Sequence, residues 1–181
     1  DYLVVEADEF DRSFLTLAPI VAVITNVDRD HLDTYADLGE IGDAFVAFAS
    51  RVPFFGQVIA CADDPTTRAL LARLGDRRVV TYGLDGDWEL VASGLETDAT
   101  GSRFDVRHRR LGSLGRIAIP LPGLHNVRNA LAAIAVGLAL AVPVETIARA
   151  LAGFGGVHRR FERLGTFCGA DVVDDYAHHP T

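Results

Sequence analysis

The stretch Val21–Tyr35, which ends Ala-Val-Ile-Thr-Asn-Val-Asp-Arg-Asp-His-Leu-Asp-Thr-Tyr, restricts the fold of this chain more than any other. Ile20–Ile24 is a continuous apolar run of the kind that forms a strand buried on both faces. It leads through Thr25 and Asn26 into a polar turn, Asp28–Asp33. A second run, Tyr2–Val5, reads as a strand that ends the same way, in Glu6, Ala7, Asp8 and Glu9. Open parallel sheets bind ligands beyond the carboxyl ends of their strands. Two strands that deliver carboxylates and a histidine there point to a site for a divalent metal and phosphate.

The pattern continues as strand, helix, strand. Leu38–Ser50 places Leu38, Ile41, Phe45 and Phe48 near helical spacing. Gln57–Cys61 reads as a third strand, and Asp64 followed by Pro65 opens a helix expected to run to Leu74. Arg78–Tyr82 is a fourth strand. This order predicts an α/β fold, a mostly parallel sheet flanked by helices with right-handed crossovers. After Gly83 the segments Trp88–Ser93, Arg103–His108 and Arg116–Ile119 alternate and are separated by Gly and Asp turns, which predicts a small antiparallel β patch added to the sheet. Two helices follow, His125–Leu140 and Val144–Leu151. Gly153–Gly156 reads as a hinge, with Phe161–Phe167 and Asp171–Asp174 as strands of a new domain. The division expected is therefore 1–155 and 156–181.

Composition removes several function classes. The net charge of −8 and a pI of about 5.1 argue against a nucleic-acid or anionic-membrane surface. An anionic substrate must then be held locally, by helix N-termini, a metal ion and particular arginines. All 17 basic residues are arginine, so no phosphate-gripping lysine comes from this chain. The absence of methionine, the apolar start and the polar end lead to the expectation of an internal piece of a longer protein. Cys61 and Cys168 have no metal-type spacing and suit a reduced cytoplasm. Ala130–Val142 is uncharged but short for a bilayer span, so no membrane insertion is expected.

Four constellations carry chemistry, each with a plainer alternative. Glu6 and His31, at neighbouring strand ends, could supply part of a hard-cation shell; alternatively the acidic residues form a solvated turn and His31 caps a helix. Asn126 and Asn129 sit three apart at a helix start next to His125, and their amides match the donor–acceptor pattern of an adenine edge; alternatively Asn126 is an N-cap. Arg160, just after the hinge, could stabilise a transferring phosphoryl group, or belong to a solvated basic turn. Asp175 could hold a ribose hydroxyl while His178 and His179 approach phosphate, or the whole loop is a satisfied turn ended by Pro180.

In this order the elements resemble the Mur ligase family, the ATP-dependent amino-acid ligases of peptidoglycan synthesis. The resemblance is carried by E-A-D-E-F-D-x-S-F (Glu6–Phe14), T-N-V-x-x-D-H-L-D-T-Y (Thr25–Tyr35), G-x-H-N-x-x-N-A (Gly123–Ala130), H-R-R-F-E (His158–Glu162) and D-D-Y-A-H-H-P-T (Asp174–Thr181). It covers essentially the whole chain. It implies a P-loop-type central ATP-binding domain that lacks its phosphate-loop part, plus the start of a C-terminal α/β domain. It further implies a cytoplasmic enzyme with ATP and Mg2+ as cofactors and UDP-N-acetylmuramate and L-alanine as substrates, the E-A-D-E and D-D-Y-A-H-H-P ends favouring the alanine-adding branch. Glu6 and His31 would be magnesium ligands; His125, Asn126 and Asn129 would lie at the adenine. Arg160 would reach ATP from the linker, Asp175 would grip the ribose, and His178 would lie near the phosphates. Without the lysine-bearing phosphate loop, G-x-x-G-K-[ST] in type, the chain alone is expected to be inactive. The competing readings are a sibling ligase, a nucleotide-binding module without catalysis, and, disfavoured by the adenine-type helix, a phosphohydrolase built on Asp28, Asp30, His31 and Asp33.

Overall fold

The computed structural model describes residues 1–29 and 33–177. Its main body is one six-stranded sheet in the order β1 (Val21–Ile24), β2 (Gln57–Cys61), β3 (Val79–Gly83), β4 (Leu90–Asp98), β5 (Gly101–His108), β6 (Gly112–Ile119). The first four strands run parallel and the last three are joined as antiparallel neighbours. The expected mostly parallel sheet with an added antiparallel patch is what forms.

The connections follow from the sequence. Helix α1 (Leu38–Ala49) crosses from β1 to β2, opened by Asp37, whose side chain accepts from the Glu40 N–H at 2.9 Å. Helix α2 (Pro65–Leu71) crosses from β2 to β3, with Asp64 as its cap and Pro65 in its first turn. It stops before the predicted Leu74, where the chain turns toward Gly75 at φ 58°, yet Leu74 stays buried. Between β3 and β4 only residues 84–89 intervene, far fewer than a full crossover requires. The short link works because the pairing is only Tyr82 with Leu90 and Gly83 with Val91.

Two cores lie on opposite faces of the sheet, and β2 shows why its five residues are all buried. Val58 and Ala60 face one core with Phe14, Ala22, Ile24, Ile41, Phe48 and Leu70; Ile59 and Cys61 face the other with Tyr82, Phe104 and Ile117. The period of two along a strand sends alternate residues to opposite faces. Helices α3 (Leu124–Ala139) and α4 (Val144–Ala152) cover the second face, through Val127, Leu131, Ile134 and Ile147. A separate antiparallel pair, β7 (Glu162–Phe167) and β8 (Ala170–Asp174), forms the last sheet.

One predicted strand does not form. Residues 1–9 carry no strand, and Tyr2, Leu3 and Val4 are 72%, 88% and 89% exposed. An apolar run becomes a strand only where a neighbouring strand offers its row of N–H and C=O groups. Here β1, at the edge of the sheet, pairs with β2 alone among the described residues.

Candidate functional site

At the carboxyl ends of β1 and β2 and the N-terminus of α3 lies a cleft of ≈ 370 Å³. Its lining includes Thr25, Asn26 and Asp28 after β1, Asp63 and Asp64 after β2, and His125, Arg128 and Asn129 on α3. This is where an open α/β sheet places its ligand. Buried Cys61 and Tyr82 also contribute to the lining. Burial pushes the Cys61 thiol up, opposed by the backbone N–H groups of Asp63 and Asp64, and burial likewise pushes the Tyr82 phenol up. Both shifts favour the protonated form of these two groups.

The two carboxylates after β2 have separate tasks. Asp64 Oδ2 accepts from the Thr67 N–H at 2.6 Å and from the Val27 N–H at 3.4 Å, so the cap of α2 also ties down the segment after β1. Asp63 accepts from the Leu84 N–H at 3.0 and 3.1 Å and from Arg128 Nε at 2.8 Å. Sequence reading passed over Asp63 and Arg128. The available signal was that Arg128 is the one arginine in α3, two residues after the G-x-H-N motif and beside Asn129.

Helix α3 is capped by Gly123 at φ 100°, not by Asn126. A Cβ on Gly123 would lie 2.8 Å from His125 Cε1, so glycine there leaves room for the imidazole. His125 and Asn129, four apart, both line the cleft and are exposed to it. Asn126 does not line it; its Nδ2 donates to the Pro122 carbonyl at 2.8 Å. Of the three residues expected together at this helix start, His125 and Asn129 thus line the cleft and Asn126 does not.

Glu6 is exposed and lies in the N-terminal segment that forms no strand, rather than at a strand end. His31 and His178 lie outside the described residues, and among those described no three His, Cys, Asp or Glu side chains gather as a metal cage. The flanks of the His31 turn are nevertheless fastened to the acidic segment. Tyr35 donates its hydroxyl to the Glu9 carbonyl at 2.7 Å, and Arg12 Nη2 reaches the Thr34 carbonyl at 2.9 Å and Glu40 Oε1 at 2.5 Å. Arg12 also lies 4.6 Å from the Tyr35 ring centroid. Arg160 and Asp175 are exposed and are not among the residues lining the cleft. Their neighbours are ordered: His158 Nδ1 lies 2.9 Å from Glu162 Oε1, and the Arg159 carbonyl accepts from the Tyr176 N–H at 2.7 Å.

Known proteins resemble this chain throughout. It is 49% identical over 181 residues to a UDP-N-acetylmuramate--L-alanine ligase of Desulfatibacillum aliphaticivorans, covering 100% of this chain and 39% of that protein. It is 50% identical to the protein of the same name from Solibacter usitatus, covering 100% and 38%. The chain thus spans well under half the length of these curated relatives. Among solved structures, the UDP-N-acetylmuramate-alanine ligase of Thermotoga maritima superposes with a TM-score of 0.79 at 30% identity, over 96% of this chain and 38% of that one. A murein peptide ligase from Psychrobacter arcticus gives 0.70 at 30% identity, over 92% and 34%. The family description "Mur ligase middle domain" matches residues 1–137. With that match across most of its length and the strand-end cleft in place, the chain belongs to the Mur ligase family.

Proposed function

We propose that the protein containing this chain joins L-alanine to UDP-N-acetylmuramate at the expense of ATP, in peptidoglycan synthesis in the cytoplasm. The observation that carries this reading is the cleft at the strand ends with His125 and Asn129 on the first turns of α3, in a chain that resembles the named alanine ligases from end to end. In this reading ATP transfers its γ-phosphoryl group to the muramate carboxylate, releasing ADP. The alanine amine then attacks the acyl carbon, displacing phosphate and leaving an amide. Residues 1–155 form the ATP-binding unit; 156–181 form the linker and the beginning of a C-terminal domain, in keeping with the separate β7–β8 sheet.

His125 and Asn129 orient the adenine, with Asn126 supporting the turn through Pro122. Arg160 and Asp175, both exposed, are free to approach phosphate and ribose as the C-terminal part closes. Glu6 and His31 would hold Mg2+, with His178 near the phosphates. In support of this, Glu6 is exposed and offers hard-oxygen donors of the kind Mg2+ takes, one or two carboxylates beside phosphate oxygens and water. When bound, the ion would supply charge neutralisation on the phosphates. The fastening of Tyr35 to Glu9 supports the approach of the two segments.

The test uses the full-length protein, with Glu6→Ala and His31→Ala assayed for ADP release and, separately, for Mn2+ binding by electron paramagnetic resonance. Loss of both signals is expected. Unchanged rates and unchanged Mn2+ binding would favour a nucleotide-binding module without catalysis. The likeness to the murein peptide ligase structure favours a sibling ligase as second reading. Competition of L-alanine against tripeptide as acceptor amine separates the two.

A further inference from the structure

We propose that Arg128 is an additional nucleotide contact in this cleft and that Asp63 is the positioning residue that fixes its guanidinium; the proposal rests on the nucleotide reading above. Arg128 is the one arginine among the described residues that line the cleft. Three and four residues separate His125 from Arg128 and Asn129, so all three share the helix face that meets the cleft. Its Nε is spent on Asp63 at 2.8 Å, while among the described residues its two Nη groups make no hydrogen bond. The side chain is 37% exposed, with four N–H donors still to offer.

Asp63 cannot follow a wandering arginine. Its side chain is only 12% exposed and is held by the Leu84 N–H. A Cβ on Gly83 would lie 2.3 Å from Asp63 Oδ1, so the end of β3 closes on the carboxylate from the other side. A guanidinium gripped at Nε by such a group keeps its terminal donors in one place before a ligand arrives. That removes much of the ordering cost of binding. The neighbouring carboxylate, Asp64, is engaged by two N–H groups, so it leaves the arginine free to meet acceptor atoms of a nucleotide. The Arg128 side chain remains 37% exposed while lining the cleft, so its remaining donors are accessible to a ligand there.

The experiment measures the Kd of a fluorescent ATP analogue for the full-length protein. Arg128→Ala is expected to raise Kd about tenfold or more, the loss of a charge-assisted hydrogen bond. Arg128→Lys recovers little, because an ammonium offers no Nε for Asp63 to hold. Asp63→Asn raises Kd by a smaller factor, and the double variant Arg128→Ala with Asp63→Asn binds no worse than Arg128→Ala alone, since Asp63 acts through the arginine. Should the alanine variant not fold, by circular dichroism, Arg128→Gln carries the same expectation. A Kd within twofold of wild type for Arg128→Ala or Arg128→Gln overturns the contact. An additive loss in the double variant overturns the positioning role. If the wild-type protein itself fails to bind the analogue, the nucleotide reading falls, a result distinct from either.

Discussion

Replacing Asp64 with alanine removes one oxygen that serves two segments. Asp64 Oδ2 caps α2 through the Thr67 N–H at 2.6 Å and reaches the Val27 N–H at 3.4 Å. Losing an N-cap aspartate costs about 1 kcal/mol. Leaving the N–H of Val27, a residue 2% exposed, without its acceptor adds roughly 1 kcal/mol. The sum of about 2 kcal/mol corresponds to roughly 30-fold in a local opening equilibrium. Native-state amide hydrogen exchange reads it residue by residue. Protection at both Thr67 and Val27 is expected to fall in Asp64→Ala by that order. In Asp64→Asn it should change by less than about threefold, because asparagine caps as well as aspartate. Equal protection in the two variants would refute the capping role. A loss at Thr67 with Val27 untouched would refute the tie between α2 and the segment that follows β1.

Phe104, fully buried in the core beneath α3, is expected to cost about 3–5 kcal/mol as Phe104→Ala, read as a lowered denaturation midpoint. Phe54→Ala, at a site 91% exposed, should stay within about 0.5 kcal/mol. Glu40 lies below the ordinary glutamate value of 4.5 because the Ala36 N–H and then Arg12 donate to it. A lowered folded value means that its stabilising contribution is present above the ordinary value and is lost as pH falls through the lowered one. The Ala36 amide resonance should therefore titrate with a midpoint below 4.5 and cease to do so in Glu40→Gln; a midpoint at or above 4.5 would contradict this arrangement.

Local signals were legible where chemistry and position coincide. Gln57–Cys61 was read with the bounds that form, and Asp64 with Pro65 announced α2, because a cap and a first-turn proline act within one turn. Apolar periodicity placed α1 and α3 to within about a residue. It failed at Tyr2–Val5, since period says nothing about whether a partner strand lies alongside. His125 and Asn129 were legible as candidates and both line the cleft, whereas Asn126, expected on the same face, gives its amide to the Pro122 carbonyl. Asp63 with Arg128 escaped notice because 65 residues separate them and only the fold of β2 against α3 makes them neighbours. The same holds for Tyr35 and Glu9, whose contact spans 26 residues.

The central claim is that a purine nucleotide occupies the cleft between the ends of β1 and β2 and the start of α3. A crystal structure of the full-length protein with a non-hydrolysable ATP analogue tests it most directly. The account predicts electron density for the base against His125 and Asn129. Density for the nucleotide elsewhere on this domain, with those two side chains untouched, would contradict it.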